Sequence, residues 1–274
     1  MPATPPGRPS LFTPSQLTLY RDCPERYRLA KVERRRVAEP FSAPLARGMA
    51  LHAVLADCLE AVRRGAPCPD DLAARAAAAL PAGDYPDRRA WAEDAAGVVR
   101  QAAHGLAHLT PGLRVLAVEA FHRWTYGGDA LTPAFTLGAR ADAILAGADA
   151  DGRAYLEVVD WKTGAGRGVD LLQEVALRIV TRHALGDAYA YIINTTVFVA
   201  HGTTSSVVRE DAICRDVFRE IKGLVTAIAR DRLFPPRPSE RCPFCPYFGD
   251  GCILDQPASP GEDATAVWLE GGVR

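Results

Sequence analysis

The chain has 274 residues, 48% of them hydrophobic and 24% charged, with a formal net charge of −1. That is the profile of a soluble globular protein with material for one substantial core, and it excludes a disordered or collagen-like chain; no apolar run reaches membrane-spanning length. A near-neutral total also excludes a molecule that is basic throughout, so any nucleic-acid surface has to come from local arrangement.

The opening Met1 to Ser10 is proline-rich and lacks the apolar centre of a secretory signal, which predicts a cytoplasmic protein. Residues 1–12 read as a flexible arm. Thr13 or Ser15 caps a first helix running to about Val32 and containing Cys23. Arg34 to Pro44 reads as a loop, and Pro44 opens a second helix to about Arg64, because proline suits a first helical turn. Alanine-rich helices are expected near 70–80 and 87–109.

After Pro111-Gly112 the character changes. Leu113–Tyr126, Pro133–Ala146 and Arg153–Trp161 are rich in β-formers and divided by turns such as Gly127-Gly128-Asp129 and Asp149-Ala150-Asp151-Gly152. They predict a three-strand antiparallel meander. A helix at about 170–186, strands near 189–199 and 204–208, and a helix at about 210–231 follow. The Pro/Cys-rich stretch Leu233 to Cys252 reads as a loop. The order implies an α/β sandwich with a mixed central sheet flanked by helices. Its parts are a helical region (13–110) carrying Cys23 and His52, a core (111–232) and a cysteine-rich loop with its tail (233–274). Residues 13–252 are expected to form one compact domain.

Of the 32 basic residues only Lys31, Lys162 and Lys222 are lysines. An Arg- and Ala-rich composition reads as GC-rich coding bias, so a surviving lysine marks a place where a compact ammonium serves better than a guanidinium. One of them lies in Leu156-Glu157-Val158-Val159-Asp160-Trp161-Lys162-Thr163-Gly164. In a strand, Asp160 and Lys162 point the same way, with Leu156 and Val158 behind them. Alone, the pair reads equally as an edge salt bridge. A second acid, Asp142, is flanked by small and apolar residues on the preceding strand, where a carboxylate needs a partner. The hairpin between them brings Asp142 and Asp160 to similar heights. Two close carboxylates do not both ionise without a cation, and oxygen ligands suit Mg²⁺ or Mn²⁺. His52, with Gly48, Leu55 and Leu59 at helical spacing, reads as a core histidine or as a ligand. Glu119, in another apolar strand, is a sheet-end partner for an arginine or a further metal-site carboxylate.

Seven cysteines in a reducing compartment argue for metal ligation or buried thiols over disulfides. Cys242 and Cys245 form a CxxC, and Cys252 follows closely. Four thiolates would fit either Zn²⁺ or a [4Fe–4S] cluster, and spacing does not separate the two. Cys58, Cys68 and Cys214 read as ordinary thiols.

The ordered set Gly48…His52, Asp142, Asp160-Trp161-Lys162-Thr163-Gly164 and Gln173 resembles the RecB-like exonuclease branch of the PD-(D/E)XK nucleases. The opening Ser15-Gln16-Leu17 through Cys23-Pro24 to Tyr27 is similar to that branch's first helix, so the resemblance spans about 13 to 252. It implies a restriction-endonuclease-like core and a metal-dependent DNA nuclease. By it His52, Asp142 and Asp160, with Glu119, would hold the metal, and Lys162 would lie beside the attacking water. Gln173 matches the start of a Gln-x-x-x-Tyr motif whose tyrosine position is Leu177 here. The resemblance also supplies Cys23 as the fourth thiol and favours iron–sulfur over zinc, as in AddB-type domains and the nucleases of CRISPR spacer acquisition.

The implied partner is DNA, single-stranded or with a free end, and the implied setting is repair or recombination. The chain lacks a GxxxxGK[ST] motif, so a helicase motor would be another subunit. The competing readings are a weakly active nuclease-fold subunit of a helicase–nuclease or CRISPR-adaptation assembly, and a zinc protein that binds nucleic acid without cutting. Arg21, Arg26, Arg28, Lys31, Arg34-Arg35-Arg36 and Arg47 form a basic group that reads as a phosphate contact or a solvated face. Phe244, Tyr247 and Phe248 would stack on bases or pack around the cysteines.

Overall fold

The computed structural model describes residues 10–37, 41–107, 109, 112–164, 166 and 168–255. Most of the expected arm (1–9) and the tail (256–274) lie outside the described residues. Two compact units are formed, one from the described residues in 10–17 and 41–227, the other from those in 18–37 and 228–255.

The larger unit is built on a six-stranded mixed sheet. Its strands are β1 (Leu11–Phe12), β2 (Arg114–Tyr126), β3 (Phe135–Ala148), β4 (Ala154–Lys162), β5 (Tyr191–Phe198) and β6 (Thr203–Val207). The meander is present: β2 and β4 both run antiparallel to β3. The last residues assigned to the arm, Leu11 and Phe12, form a short strand parallel to β3 instead. A parallel β4–β5 pair and an antiparallel β5–β6 pair complete the sheet. β3 is the organising strand. One of its edges carries β2 along its length; the other carries β1 at Thr136–Leu137 and β4 from Ala143 onward. Between those two partners that edge carries no strand among the described residues, and Asp142 lies at the end of the gap.

The β3–β4 turn fixes the register. Asp149 Oδ1 accepts from the amides of Asp151 (3.0 Å) and Arg153 (2.9 Å), an Asx-type turn. Gly152 takes φ +77°, which only glycine adopts without strain.

Helix α3 (Ala43–Arg63) packs on one sheet face, with α4 (Leu72–Ala79) and α5 (Arg88–Leu106) packed against it. Leu51, Val54, Leu55 and Leu59 of α3 meet Ala143, Leu145, Val159, Trp161 and Val197, with Val98 and Ala102 of α5 in the same core. Truncating one such leucine to alanine costs roughly 2–5 kcal/mol, so this layer fixes where α3 lies. Ser42 and Asp87 cap α3 and α5 through the amides of Leu45 and Ala90. α6 (Leu171–Leu185) is capped by Asp170, which accepts from Leu172 (3.0 Å) and Gln173 (3.4 Å). It lies over the opposite face, where Asn194 of β5 donates to the Glu174 carbonyl at 3.2 Å. α7 (Asp211–Arg230) follows β6.

Two expectations are corrected. The first helix is not continuous to Val32: α1 (Pro14–Asp22) ends, Cys23 is extended, and α2 (Pro24–Tyr27) begins afresh, followed by a π-helical turn over Arg28–Val32. The cause is Pro24, which forces the residue before it out of helical backbone. Cys58 and Cys68 are not separate thiols but a disulfide. Gly65 (φ +79°) and the 2.9 Å bond from Ala66 N to Ala61 O close α3 with a Schellman-type cap, which turns the chain back so that Cys68 returns to Cys58.

In the smaller unit Tyr20, Tyr27 and Phe234 form an aromatic cluster, with Tyr20–Tyr27 edge-to-face at 5.5 Å and Tyr27–Phe234 stacked at 6.3 Å. Tyr20 Oη donates to Asp231 Oδ2 at 2.7 Å. Among the described residues, no helix is long and apolar enough to cross a membrane.

Candidate metal centre

Three side chains from three elements converge beside the middle of β3. His52 comes from α3, Glu119 from β2 and Asp142 from β3, each offering one ligand atom within 4.8 Å of the others. His52 Nδ1 lies 3.4 Å from Asp142 Oδ1 and 3.5 Å from Glu119 Oε1.

Local backbone explains each placement. Gly48 lies one helical turn before His52, and a Cβ added there would be 3.1 Å from Thr163 Oγ1. Glycine therefore lets α3 press against the end of β4. Glu119 has φ +49° inside β2, a left-handed conformation whose cost for a non-glycine residue is on the order of 1–3 kcal/mol. By register it lies opposite Asp142, since Val118 pairs with Ala143 and Ala120 with Ala141. Asp142 is held by one oxygen and presents the other. Its Oδ2 accepts the Trp161 amide at 2.7 Å, while Oδ1 faces His52.

Asp160 occupies the position opposite Asp142, one step beyond the Ala143–Val159 pair. It belongs to an adjoining network. Lys162 Nζ lies 2.7 Å from Asp160 Oδ2 and donates to Gln173 Oε1 at 2.8 Å, while Gln173 Nε2 donates to Asp160 Oδ1 at 2.7 Å. The three side chains close a ring in which each touches both others. The position expected to carry a tyrosine, Leu177, is buried in α6.

The electrostatics point to a cation. Burial opposes a charge on His52, but Asp142 and Glu119 outweigh it and lift its pKa to about 10. Burial pushes the Asp160 carboxyl up; Lys162 and His52 pull it down, and Asp142 adds to the rise. Glu119 Oε1 is buried, and its neighbour His52 Nδ1, at 3.5 Å, is too far for a good hydrogen bond. A buried carboxylate oxygen without a donor is costly, and a metal ion would complete it. Neighbouring ligands around an ion bound at ~2.1 Å stand about 3 Å apart. The two separations from His52, 3.4 and 3.5 Å, lie within a few tenths of an ångström of that spacing, as a small divalent cation requires.

His52, Glu119 and Thr163 line an open cleft of about 470 Å³ with Gly48, Pro44, Leu45, Met49, Ala53 and Ala56. The sequence reading named His52 and Glu119 but not this wall. Its signal was present as Leu45, Met49, His52 and Ala56, a set at one helical face.

In the smaller unit Cys23, Cys242, Cys245 and Cys252 line one cavity together with Arg26, Arg237 and Arg241. None of the four is in a disulfide. The CxxC is folded as a tight turn, with Cys245 N donating to Cys242 O at 2.9 Å and Ser239 N donating to Cys242 Sγ at 3.3 Å. Extended Cys23, released from the helix by Pro24, joins the same cavity. Asp22 and Glu25 line the cavity too, and Arg241 Nη1 lies 3.3 Å from Asp22 Oδ2. Tyr247 is buried, whereas Phe244 is 86% exposed and so does not pack around the cysteines. Much of the basic group is already paired: Arg28 with Glu25 and Glu33, Arg35 with Asp250, Arg47 with Asp94.

Residues 11–249 match the family model described as PD-(D/E)XK nuclease superfamily. No curated protein matches the chain. Among solved structures, "Crystal structure of SSO0001" aligns with 11% identity over 88% of this chain and 84% of that one, at a TM-score of 0.38.

Proposed function

The chain belongs to the PD-(D/E)XK nuclease superfamily, and we propose that it is a divalent-metal-dependent deoxyribonuclease of the RecB-like kind, an exonuclease that hydrolyses DNA from an end in repair or recombination. Its mixed sheet flanked by helices is the expected architecture. The observation that carries the reading is the adjacency of two groups. His52, Glu119 and Asp142 form a ligand set, and Asp160, Lys162 and Gln173 form a bonded ring whose acid lies opposite Asp142.

His52, Glu119 and Asp142, with Asp160 beside them, would hold Mn²⁺ or Mg²⁺. The imidazole donor favours Mn²⁺, since Mg²⁺ prefers oxygen alone. When bound, such an ion offsets the charge of the scissile phosphate and lowers the pKa of a nearby water. Asp142 is oriented by the Trp161 amide, so its free oxygen is preset. Lys162 is held by Asp160 and Gln173 and supplies a fixed positive charge for the phosphate as negative charge grows on it. Gln173 acts through the other two by fixing both rotamers.

The four-cysteine cavity supports a [4Fe–4S] cluster as a structural clip, with zinc as the alternative occupant. It would join segments far apart in sequence, where a cross-link suppresses unfolded-chain entropy most. The substrate is DNA, a helicase or recombination subunit is the expected partner, and a cytoplasmic location is part of the same reading.

The test is end-labelled single- and double-stranded DNA incubated with and without Mn²⁺. Progressive, chelator-sensitive shortening from an end is expected. An intact label and intact DNA with every metal tried would reject the nuclease reading, and internal cuts without end dependence would reject the exonuclease part.

A further inference from the structure

The N-terminal half of α3 is apolar on two faces. Ala46, Ala50, Leu51, Val54 and Leu55 are buried in the core, as an amphipathic helix requires. On the other face Leu45 is 57% and Met49 66% exposed. Single exposed apolar residues are ordinary. These two are distinguished by their alignment: Leu45, Met49, His52 and Ala56 fall at i, i+4, i+7 and i+11 on one helix face, in line with a metal-site histidine. They line the same cleft as His52 and Glu119, together with Pro44 and Ala53. The wall next to the candidate metal centre is therefore aliphatic, and neither Lys nor Arg is among the described residues that line the cleft.

A nucleic acid offers such a wall one matching surface. Its phosphates are charged and its sugars polar; only the base faces are flat and apolar. In a duplex those faces are covered by neighbouring pairs. Proteins that engage unstacked bases press Leu, Met or Pro side chains against them.

We propose that Pro44, Leu45, Met49 and Ala53 form a subsite for an unpaired nucleobase adjoining the scissile phosphate, so that the cleft selects single-stranded DNA by contact with a base rather than by sequence. This deepens the nuclease reading and rests on it. The base lies against the Leu45 and Met49 side chains while its phosphate faces the cluster of His52, Glu119 and Asp142. The contact depends little on base identity, because every base has an apolar face.

The test compares two single-stranded oligonucleotides under Mn²⁺, one unmodified and one with abasic tetrahydrofuran residues at the terminal positions. The full-length protein is expected to prefer the unmodified strand by about tenfold in kcat/KM, the ratio for ~1.4 kcal/mol of contact. Leu45→Ser with Met49→Ser should bring that ratio close to one. Met49→Phe, with a larger flat surface, should keep or raise it, which guards against loss of fold in the double variant. A ratio near one in the unmodified protein would overturn the subsite, as would a double variant, melting as the parent does, that keeps the full ratio. If neither strand is cut by the unmodified protein, the nuclease reading itself fails, and the base subsite falls with it.

Discussion

The Trp161 amide donates to Asp142 Oδ2 at 2.7 Å, so the strand segment that carries Asp160 and Lys162 also orients the acid of the neighbouring strand. The two halves of the site are thus coupled through backbone. Asp142→Asn is expected to lower Mn²⁺ affinity and to cut DNA hydrolysis by more than about a hundredfold, because even outer partners of metal ligands are worth roughly 10–100-fold. Isothermal titration with Mn²⁺ beside the end-label assay checks both. Retention of affinity and rate together would remove Asp142 from the centre.

Lys162→Met keeps the stem and deletes the charge. The expected loss is in kcat, on the order of 10²–10³-fold as for removal of one transition-state donor, with DNA binding retained. A change confined to KM would assign Lys162 to ground-state binding.

Gln173→Leu tests the ring from outside the ligand set. It leaves Asp160 and Lys162 paired but unanchored, and kcat should fall about 10–100-fold. Gln173→Glu should not recover that rate, since the oxygen replacing Nε2 would face Asp160 Oδ1 as a second carboxylate. Equal rates for all three proteins would make the ring incidental.

His52 gives the pH dependence its sign. Its folded pKa is raised to about 10 from the usual 6.5, so the proton held between Asp142 and Glu119 stabilises the metal-free protein fully below about pH 6.5, and that contribution is lost as pH rises through about 10. The upward-shifted Asp160 carboxyl works in the same direction, favouring the protonated site. Mn²⁺ must displace the His52 proton. Affinity should therefore rise about tenfold per pH unit below pH ~10, with one proton released per ion. Titration in buffers of different ionisation enthalpy counts the protons; zero release would place the metal elsewhere.

Protein prepared without oxygen should be brown and absorb broadly near ~400 nm, with the colour lost in Cys242→Ala. A colourless preparation with stoichiometric zinc would replace the cluster by zinc. Cys68→Ser should leave the colour unchanged and lower stability by roughly 2–3 kcal/mol, the loop-closure value for a short ring. Unchanged melting with and without reductant would show that the Cys58–Cys68 bond is absent in solution.

Much of this was legible beforehand because the strongest signals are local. Alternating β-formers and glycine turns mark β2 to β4, Pro44 marks the start of α3, and Asp160 with Lys162 declares a shared face. What was not legible depends on partners distant in sequence or on backbone. Nothing in Val118-Glu119-Ala120 announces a left-handed residue, and Gly48 becomes informative only when Thr163 is beside it. The break at Cys23 was readable from Pro24. The Cys58–Cys68 pairing was not, because it depends on where the cap at Gly65 sends the chain.

The turn at Asp149 to Gly152 is a surface loop of the kind that normally tolerates changes in length. Here it acts as a ruler. One inserted residue carried into the strand would invert the parity of β4, turning the Trp161 indole towards the cleft and the Asp160 carboxylate into the aliphatic layer beneath α3. Two would restore parity but slide the acid by about 7 Å along the strand, out of reach of its opposite number. Insertions at this hairpin therefore fall under the same constraint as the reacting groups themselves, although the hairpin touches none of them.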